Sequence, residues 1–324
     1  MFLLVVGLPG AAAVPVGAAL GGDEPAIEVR PGSFRASDGT DLGVDAYLPR
    51  DGVRRPAIVL VHGGSWAGGD KADVANLAAG LADRGWAVFA LGYRLGVEQV
   101  PRQAEDVRDA VRWLRRNAPD YGVDPDAISL LGASAGGHLA ALAATGADPA
   151  SRVAAVATWS GIFNLAALAP HGSARVPGCG ARCEEFFGAG VLTGVVGCTF
   201  DECPARYRRQ SPVTHVGPDA PPMFLAGTTG DAVPPGQARE MAAALRADGV
   251  ESELAILRGD EHGYEVGARV LDRTLDFLED RTVEEVSPSS SGTPSGPIAA
   301  AVALVLGAVV VVVVTRRRRA AGPR

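Results

Sequence analysis

A serine between two glycines lies near the middle of the chain, in the sequence GASAG at residues 132–136. It matches the pattern G-x-S-x-G, in which the glycines permit a sharp strand-to-helix turn that lifts the serine hydroxyl out of a sheet. An apolar segment ends at Leu131 and an alanine-rich segment begins at Ala135. The N-terminus of that second segment, if helical, adds positive potential beside the hydroxyl. The pattern predicts that Ser134 is a nucleophile, and a tightly packed glycine-rich turn is the alternative.

A second glycine-containing motif, HGGSW at residues 62–66, follows an apolar run suited to a buried strand. Acyl transfer needs N–H donors aimed at the oxygen on which negative charge develops, and glycines let backbone N–H groups approach it. We expect the amides of Gly63, Gly64 and Ala135 to form this oxyanion hole. An ordinary glycine-rich loop is the alternative. His62, at this corner, is interpreted as organising the loop and not as a base.

Among the five histidines, His262 is the one that lies after the last predicted strand and before the last predicted helix. A general base behind the nucleophile in chain order belongs at this place. His138 falls on the helix after the serine, while His171 and His215 fall in or beside an insertion. The placement favours His262 as the base over the alternative of an inert surface histidine.

The acid partner is expected in the loop after a predicted strand at 223–226, where Asp231 is the only carboxylate. A buried carboxylate would hold the histidine tautomer and stabilise the imidazolium. The order Ser134, Asp231, His262 is the order found in α/β-hydrolases. An aspartate that only shapes a turn is the alternative.

These motifs together resemble those of the α/β-hydrolase superfamily, and specifically of the HGG-type esterases. That group includes hormone-sensitive-lipase-like carboxylesterases and their feruloyl and acetyl-xylan esterase relatives. The resemblance spans roughly residues 30–280 and implies Ser134 as nucleophile, Asp231 as acid and His262 as base. The segments that carry it are HGGSWAGGDK at 62–71, GYRL at 92–95, AVRWLRRNAPDYGVDPDAI at 110–128, GASAGGHLA at 132–140, SPVTHV at 211–216, GTTGDAVPP at 227–235 and GDEHGY at 259–264.

One segment departs from the family pattern. Relatives often read GTxDxxVP, but here Gly230 occupies the place of the acid counted back from Pro234, and Asp231 comes one residue later. Either the loop bulges by one residue or the acid is displaced. Asp260 and Glu261 directly precede the histidine, but an adjacent residue orients its neighbour poorly.

Short apolar runs alternate with longer amphipathic ones in the middle of the chain, which predicts a mostly parallel central sheet with helices on both faces. Residues 163–215 break the alternation and are interpreted as a cap insertion. Trp66 and the cap are expected to shape the substrate pocket, with simple packing as the alternative. Strands are predicted near 27–35, 42–48, 57–62, 86–91, 127–131, 153–159, 223–226 and 254–257, and helices near 71–84, 103–117, 135–144, 236–247 and 265–280.

All four cysteines lie in the predicted cap, at Cys179, Cys183, Cys198 and Cys203. Two disulfides are expected if the compartment is oxidising, with three connectivities open. Zinc is the alternative, but the spacings are C-x3-C and C-x4-C with no histidine between them. We therefore predict no metal.

The C-terminal part of the chain changes composition twice. Residues 282–297 are rich in Ser, Pro, Gly and Thr, as linkers are. Residues 298–315 carry no charge and precede four arginines in the basic tail 316–324. An apolar stretch of this length approaches the ~20 residues that a membrane-spanning helix needs, and a buried core helix is the alternative. The arginines predict a cytoplasmic tail.

The N-terminal residues 1–22 are apolar and rich in small residues, which is typical of a signal peptide despite the missing basic n-region. An apolar terminus without a targeting role is the alternative. With the C-terminal span, this predicts that the hydrolase domain, residues 23–281, is extracellular. The net charge of −7 over 324 residues argues against nucleic acid as a partner.

We therefore expect a membrane-anchored extracellular serine hydrolase that cleaves carboxylic esters through an acyl-enzyme, without a metal or organic cofactor. Its substrate would be a small-molecule or saccharide-linked ester, and the lipid bilayer would be its partner through the C-terminal helix. The same fold also serves amidases, formamidases and peptidases. A surface binding module that kept the fold is the non-catalytic alternative.

Overall fold

A single mixed sheet organises the computed structural model, which describes residues 26–96, 99–146, 148–169, 181–187 and 190–282. The strand order is β1-β2-β4-β3-β5-β6-β7-β8. The pairs β1–β2 and β2–β4 are antiparallel and all others are parallel. The strands are β1 Ile27–Arg35, β2 Asp41–Pro49, β3 Arg55–Val61, β4 Ala87–Leu91, β5 Val123–Ala133, β6 Ala155–Trp159, β7 Met223–Thr228 and β8 Ser252–Leu257.

Helices cover both faces of this sheet. Side chains of α2, α3 and α8 pack on one face and those of α1 and α9 on the other. The predicted α/β-hydrolase architecture is confirmed. The α-helices are α1 Ala75–Asp83, α2 Val100–Asn117, α3 Ala135–Thr145, α4 Leu165–Leu168, α5 Ala181–Phe187, α6 Val191–Val196, α7 Pro204–Arg209, α8 Gly236–Ala247 and α9 Tyr264–Glu279; short 3-10 helices lie at Lys71–Val74, Ala118–Tyr121, Pro149–Ser151 and Pro212–His215.

The central strand β3 shows why the sheet is stable. Its side chains alternate between the two cores: Val59 packs with α2 and α3, while Ile58 and Leu60 pack with α1 and α9. All three are at most 1% exposed. Burial of each such side chain contributes about 1.5–3 kcal/mol. A strand buried on both faces must read as a continuous apolar run, which is the pattern that predicts the strand near 57–62.

The predicted insertion lies between β6 and β7 and contains α4, α5, α6 and α7, so it forms the cap. Cys198 and Cys203 are joined by a disulfide within it, with their Cα atoms 6.2 Å apart. Cys183 is also disulfide-bonded, and Cys179 lies outside the described residues. The disulfide interpretation is confirmed for the 198–203 pair.

Both chain ends fall outside the described residues, and with them the predicted signal peptide (1–22), most of the linker (282–297), the predicted span (298–315) and the basic tail (316–324). In the part of the chain that is described, no helix combines the length and apolar character needed to cross a bilayer. The described residues all belong to a unit that ends at Val283.

Candidate active site

Ser134 follows β5 directly and precedes α3, with φ 55° and ψ −122°. This backbone conformation is rare for a residue with a side chain and costs of order 1–3 kcal/mol. Close packing maintains it, because a Cβ on Gly136 would lie 2.1 Å from the carbonyl oxygen of Val61. The Ser134 amide donates to the carbonyl of Trp159 at the end of β6, at 2.8 Å. The turn therefore has the strained strand-to-helix geometry that the G-x-S-x-G pattern predicts.

His262 and Asp231 form a hydrogen-bonded pair. The Nδ1 atom of His262 lies 2.6 Å from Oδ1 of Asp231, and Asp231 is only 6% exposed. Because an ionised carboxylate can only accept, the proton belongs on Nδ1 and Nε2 is left free to accept one. The Val233 amide also donates to Asp231 Oδ1, at 2.9 Å. Asp231 thus reaches the histidine despite its shifted place in the sequence.

Ser160, which the sequence analysis missed, follows β6 with φ 54° and is buried. Its hydroxyl donates to Asp231 Oδ2 and accepts from the amide of Gly263, at 2.9 Å. It therefore connects the acid to the loop that carries the histidine. A usable signal existed, since a serine directly after a predicted parallel strand lies at the same sheet edge as Ser134.

The loop 62–69 lies against the nucleophile turn. Gly64 has φ 127°, and a Cβ there would lie 2.1 Å from the Gly68 carbonyl oxygen, so glycine is required. The His62 ring stacks on Tyr93 with centroids 4.2 Å apart, and burial lowers the pKa of His62. His62 is thus a neutral part of the loop structure.

The predicted oxyanion donors are not equivalent. The Gly63 amide donates to the hydroxyl of Tyr264, at 3.0 Å. Ala135 is the first residue of α3, so its amide is among the N–H groups that a helix leaves unpaired at its start. The Tyr264 contact was not foreseen, although Tyr264 belongs to the motif that contains His262.

Trp66 lies in the core and is 1% exposed. Its Nε1 donates to Nδ1 of His138, at 2.9 Å, and His138 Nε2 bonds the Gln210 carbonyl, at 2.7 Å. Burial lowers the pKa of His138 to about 4. Trp66 therefore packs the loop against α3, and it is not among the described residues that line the cavity beside Ser134.

A cavity of about 450 Å³ contains both Ser134 and His262 in its wall. The cap contributes Phe186, whose ring centroid is 5.7 Å from that of His262. Arg182, also on α5, donates to the carboxylate of Asp260 at 2.9 Å and so ties the cap to the histidine loop. The lining residues are His62, Gly63, Gly64, Ser65, Gly69, Asp73, Ala133, Ser134, Phe186, His262, Gly263 and Tyr264.

This arrangement combines a strained serine, a histidine with a free Nε2 and a buried carboxylate at one edge of the sheet. Such a set can perform acyl transfer: the histidine accepts the serine proton while the carboxylate stabilises the imidazolium.

Known proteins similar to this chain include ester hydrolases. Esterase LipQ of Mycobacterium tuberculosis is 32% identical over 246 residues, which is 70% of this chain and 56% of that protein. The thermophilic esterase Est2 of Thermogutta terrifontis superposes with a TM-score of 0.62 at 27% identity, covering 81% of this chain and 95% of Est2. An acetyl ester-xyloside bifunctional hydrolase from Caldicellulosiruptor lactoaceticus gives a TM-score of 0.61 at 25% identity, covering 74% of this chain and 87% of the other.

This chain spans little more than half the length of the curated relative. The predicted resemblance to α/β-hydrolase esterases is confirmed by these similarities. The sequence profile of the BD-FAE family matches residues 44–245, more than half of the chain. On this match, the protein belongs to the BD-FAE family.

Proposed function

We propose that this protein is a serine esterase in which Ser134, His262 and Asp231 form the catalytic triad. One observation carries the proposal: His262 is hydrogen-bonded to Asp231 at 2.6 Å and shares a cavity with the strained Ser134. The names of the relatives supply independent support, because each is an ester hydrolase.

The reaction begins when His262 Nε2 takes the proton of Ser134 and the serine oxygen attacks the ester carbonyl. The carbonyl oxygen becomes an oxyanion, which the N-terminus of α3 stabilises through the Ala135 amide, together with the amide of Gly64. His262 then gives its proton to the departing alcohol. Water, activated by the same histidine, releases the acid from the acyl-enzyme.

The substrate class we propose is a short-chain acyl ester of a neutral small alcohol or saccharide. The cavity is small, and Phe186 and Tyr264 give it an apolar wall. Asp73 in the same wall disfavours an anionic leaving group. Est2 has been solved with propionate and with butyrate bound, and the Caldicellulosiruptor enzyme is described as acting on an acetyl ester and a xyloside.

The proposal includes the location, with the hydrolase domain outside the cell and residues 298–315 in the membrane. The 198–203 disulfide supports it, because such bonds persist in oxidising compartments. In cell fractionation, we expect the protein in the membrane fraction, with the hydrolase domain open to protease added to intact cells. Recovery in the cytosolic fraction would contradict this part of the proposal.

Labelling with a fluorophosphonate tests the catalytic part. We expect one covalent adduct by intact mass on the full chain, no adduct on Ser134→Ala, and hydrolysis of short-chain aryl esters by the wild type but not by Ser134→Ala. Ser65→Ala is a matched control, because Ser65 lies in the same cavity wall, and it should still be labelled. A folded wild type without an adduct would contradict the proposal.

A further inference from the structure

Tyr264 occupies a position that the proposed mechanism leaves unexplained. Its hydroxyl oxygen accepts the amide proton of Gly63 at 3.0 Å, although Gly63 belongs to the motif that supplies oxyanion donors in this kind of site. Tyr264 also lines the cavity that contains Ser134 and His262. One of the expected donors is therefore directed at the side chain of a residue that belongs to the wall of the same cavity.

The phenol keeps its own proton for another acceptor. A tyrosine hydroxyl can accept and donate at once, and within the described residues no group accepts the proton of this one. Burial raises the pKa of Tyr264, so the hydroxyl stays protonated at neutral pH. Because its oxygen already accepts a hydrogen bond, its O–H is polarised and becomes a stronger donor.

The position of Tyr264 is also well defined. The residue opens α9, and the preceding amide, of Gly263, is bonded to Ser160. Its ring meets Trp159 edge to face, with centroids 6.5 Å apart and planes at 86°. The backbone carbonyl of Trp159 in turn accepts from the Ser134 amide. The Tyr264 ring and the Ser134 amide therefore both contact Trp159, the last residue of β6.

We propose that the Tyr264 hydroxyl is a donor of the oxyanion hole. It would donate its proton to the developing oxyanion beside the amides of Ala135 and Gly64, while the Gly63 amide acts through the phenol oxygen. This inference rests on the proposed esterase function and adds a residue to it. No bond to Tyr264 forms or breaks, and only the strength of its hydrogen bond changes along the reaction.

In the opposite role, Tyr264 would cover the Gly63 amide in the free protein, and the substrate would displace it. The two roles predict opposite effects of Tyr264→Phe, which keeps the ring and removes the hydroxyl. An oxyanion donor is worth up to 10²–10³-fold in kcat, so its loss must slow the reaction. Loss of a covering group would leave kcat/KM unchanged or raise it.

The test compares the full-length wild type with Tyr264→Phe on short-chain aryl esters. We expect kcat to fall about 100-fold with little change in KM. A trifluoromethyl ketone, whose hemiketal oxyanion occupies the hole, should bind about 100-fold more weakly, while the product carboxylic acid binds equally well. Tyr121→Phe, in the 3-10 helix Ala118–Tyr121 beside Phe89, is the matched control and should retain full activity.

Labelling by the fluorophosphonate separates this inference from the proposed function. If Tyr264→Phe is labelled to one equivalent and keeps its melting temperature, the triad is assembled and the lost rate belongs to the hydroxyl. Unchanged or higher kcat/KM in Tyr264→Phe would overturn the inference and leave the esterase intact. An unlabelled, inactive wild type would instead overturn the proposed function itself.

Discussion

Two serines at the ends of neighbouring strands have almost the same positive φ and different surroundings. Ser134 follows β5 with φ 55° and Ser160 follows β6 with φ 54°. The amide of each bonds the next strand, at Trp159 and Ala226, both at 2.8 Å. The Ser134 side chain lies in the wall of the cavity, whereas the Ser160 hydroxyl is held between the acid and the amide of Gly263.

The comparison shows that the strained turn by itself does not define a nucleophile. It orients a hydroxyl at the carboxyl edge of the sheet, and the neighbouring groups then decide its use. At Ser134 the side chain lies in the cavity wall, where we propose that it serves as the nucleophile. At Ser160 the hydroxyl donates to Asp231 and accepts from the Gly263 amide, and so it positions the carboxylate.

The largest effect is expected at the group that Ser160 positions. Asp231→Asn should lower kcat about 10⁴-fold while leaving the melting temperature nearly unchanged, because an amide favours the wrong histidine tautomer. Ester hydrolysis under saturating substrate measures it. Asp260→Asn is the control, since that carboxylate is exposed and pairs with Arg182. A greater loss of kcat in Asp260→Asn than in Asp231→Asn would show that Asp231 is not the acid partner of His262.

The next effect concerns the buried histidine on the helix that begins after Ser134. The pKa of His138 is about 4 in the folded protein and near 6.5 when unfolded. Between these pKa values the unfolded chain binds more protons than the folded protein. The contribution of His138 to the free energy of unfolding is therefore fully present above pH 6.5, and it falls by about 3 kcal/mol as the pH drops to 4. Protonation at Nδ1 would also remove the acceptor of the Trp66 N–H.

Urea unfolding at several pH values between 7 and 4 measures this loss. His138→Gln is the comparison, because its amide can accept from Trp66 and donate to Gln210 without titrating. We expect the variant to lose less stability over this range than the wild type. Parallel pH curves for the two proteins would show that His138 does not contribute.

Removal of the Ser160 hydroxyl should have a smaller effect on catalysis. Ser160→Ala takes one hydrogen bond from an ionised carboxylate, which is worth about 1.5–3 kcal/mol, so kcat should fall about 10–100-fold. Ser129→Ala is a matched control on β5, because the buried Ser129 hydroxyl has no partner in the described part of the chain. Unchanged kcat in Ser160→Ala would show that Asp231 is positioned without it.

The smallest effect concerns backbone strain at the two serines. A residue with a Cβ costs roughly 1–2 kcal/mol in the left-handed region, and glycine does not. Ser134→Gly should therefore be about 1 kcal/mol more stable than Ser134→Ala, and Ser160→Gly similarly more stable than Ser160→Ala. Denaturant midpoints measure both differences. An alanine variant that equals its glycine partner would show that the turn has relaxed at that position.

Periodic patterns sufficed to predict most of the fold. The buried strand β3 and the amphipathic helix α2 were recognised because their apolar residues repeat with the spacing of a strand and of a helix. The strand-to-helix turn at Ser134 is predicted for the same kind of reason, since its glycines, the preceding strand and the following helix are all local in sequence. Local patterns therefore predict local structure well.

Features that depend on distant contacts were harder to predict. The position of Asp231 depends on the Gly230 amide, which bonds the Gly259 carbonyl at 2.7 Å and draws the loop toward β8. The roles of Ser160 and Tyr264 depend on partners more than 70 residues away. Such pairings form only when the strands align in the fold, so neither composition nor periodicity predicts them.

The position of the cap between β6 and β7 has a consequence for evolution. Ser160 lies immediately before the insertion and Asp231 shortly after β7, and the pairing of these two parallel strands fixes both ends. The cost of closing a loop rises only slowly with its length. Changes in the cap outside α5, whose Arg182 and Phe186 contact the histidine loop, can therefore be tolerated without moving the acid or the base. Selection can therefore vary the cap wall of the cavity in one segment while Ser134, Asp231 and His262 keep their places in another.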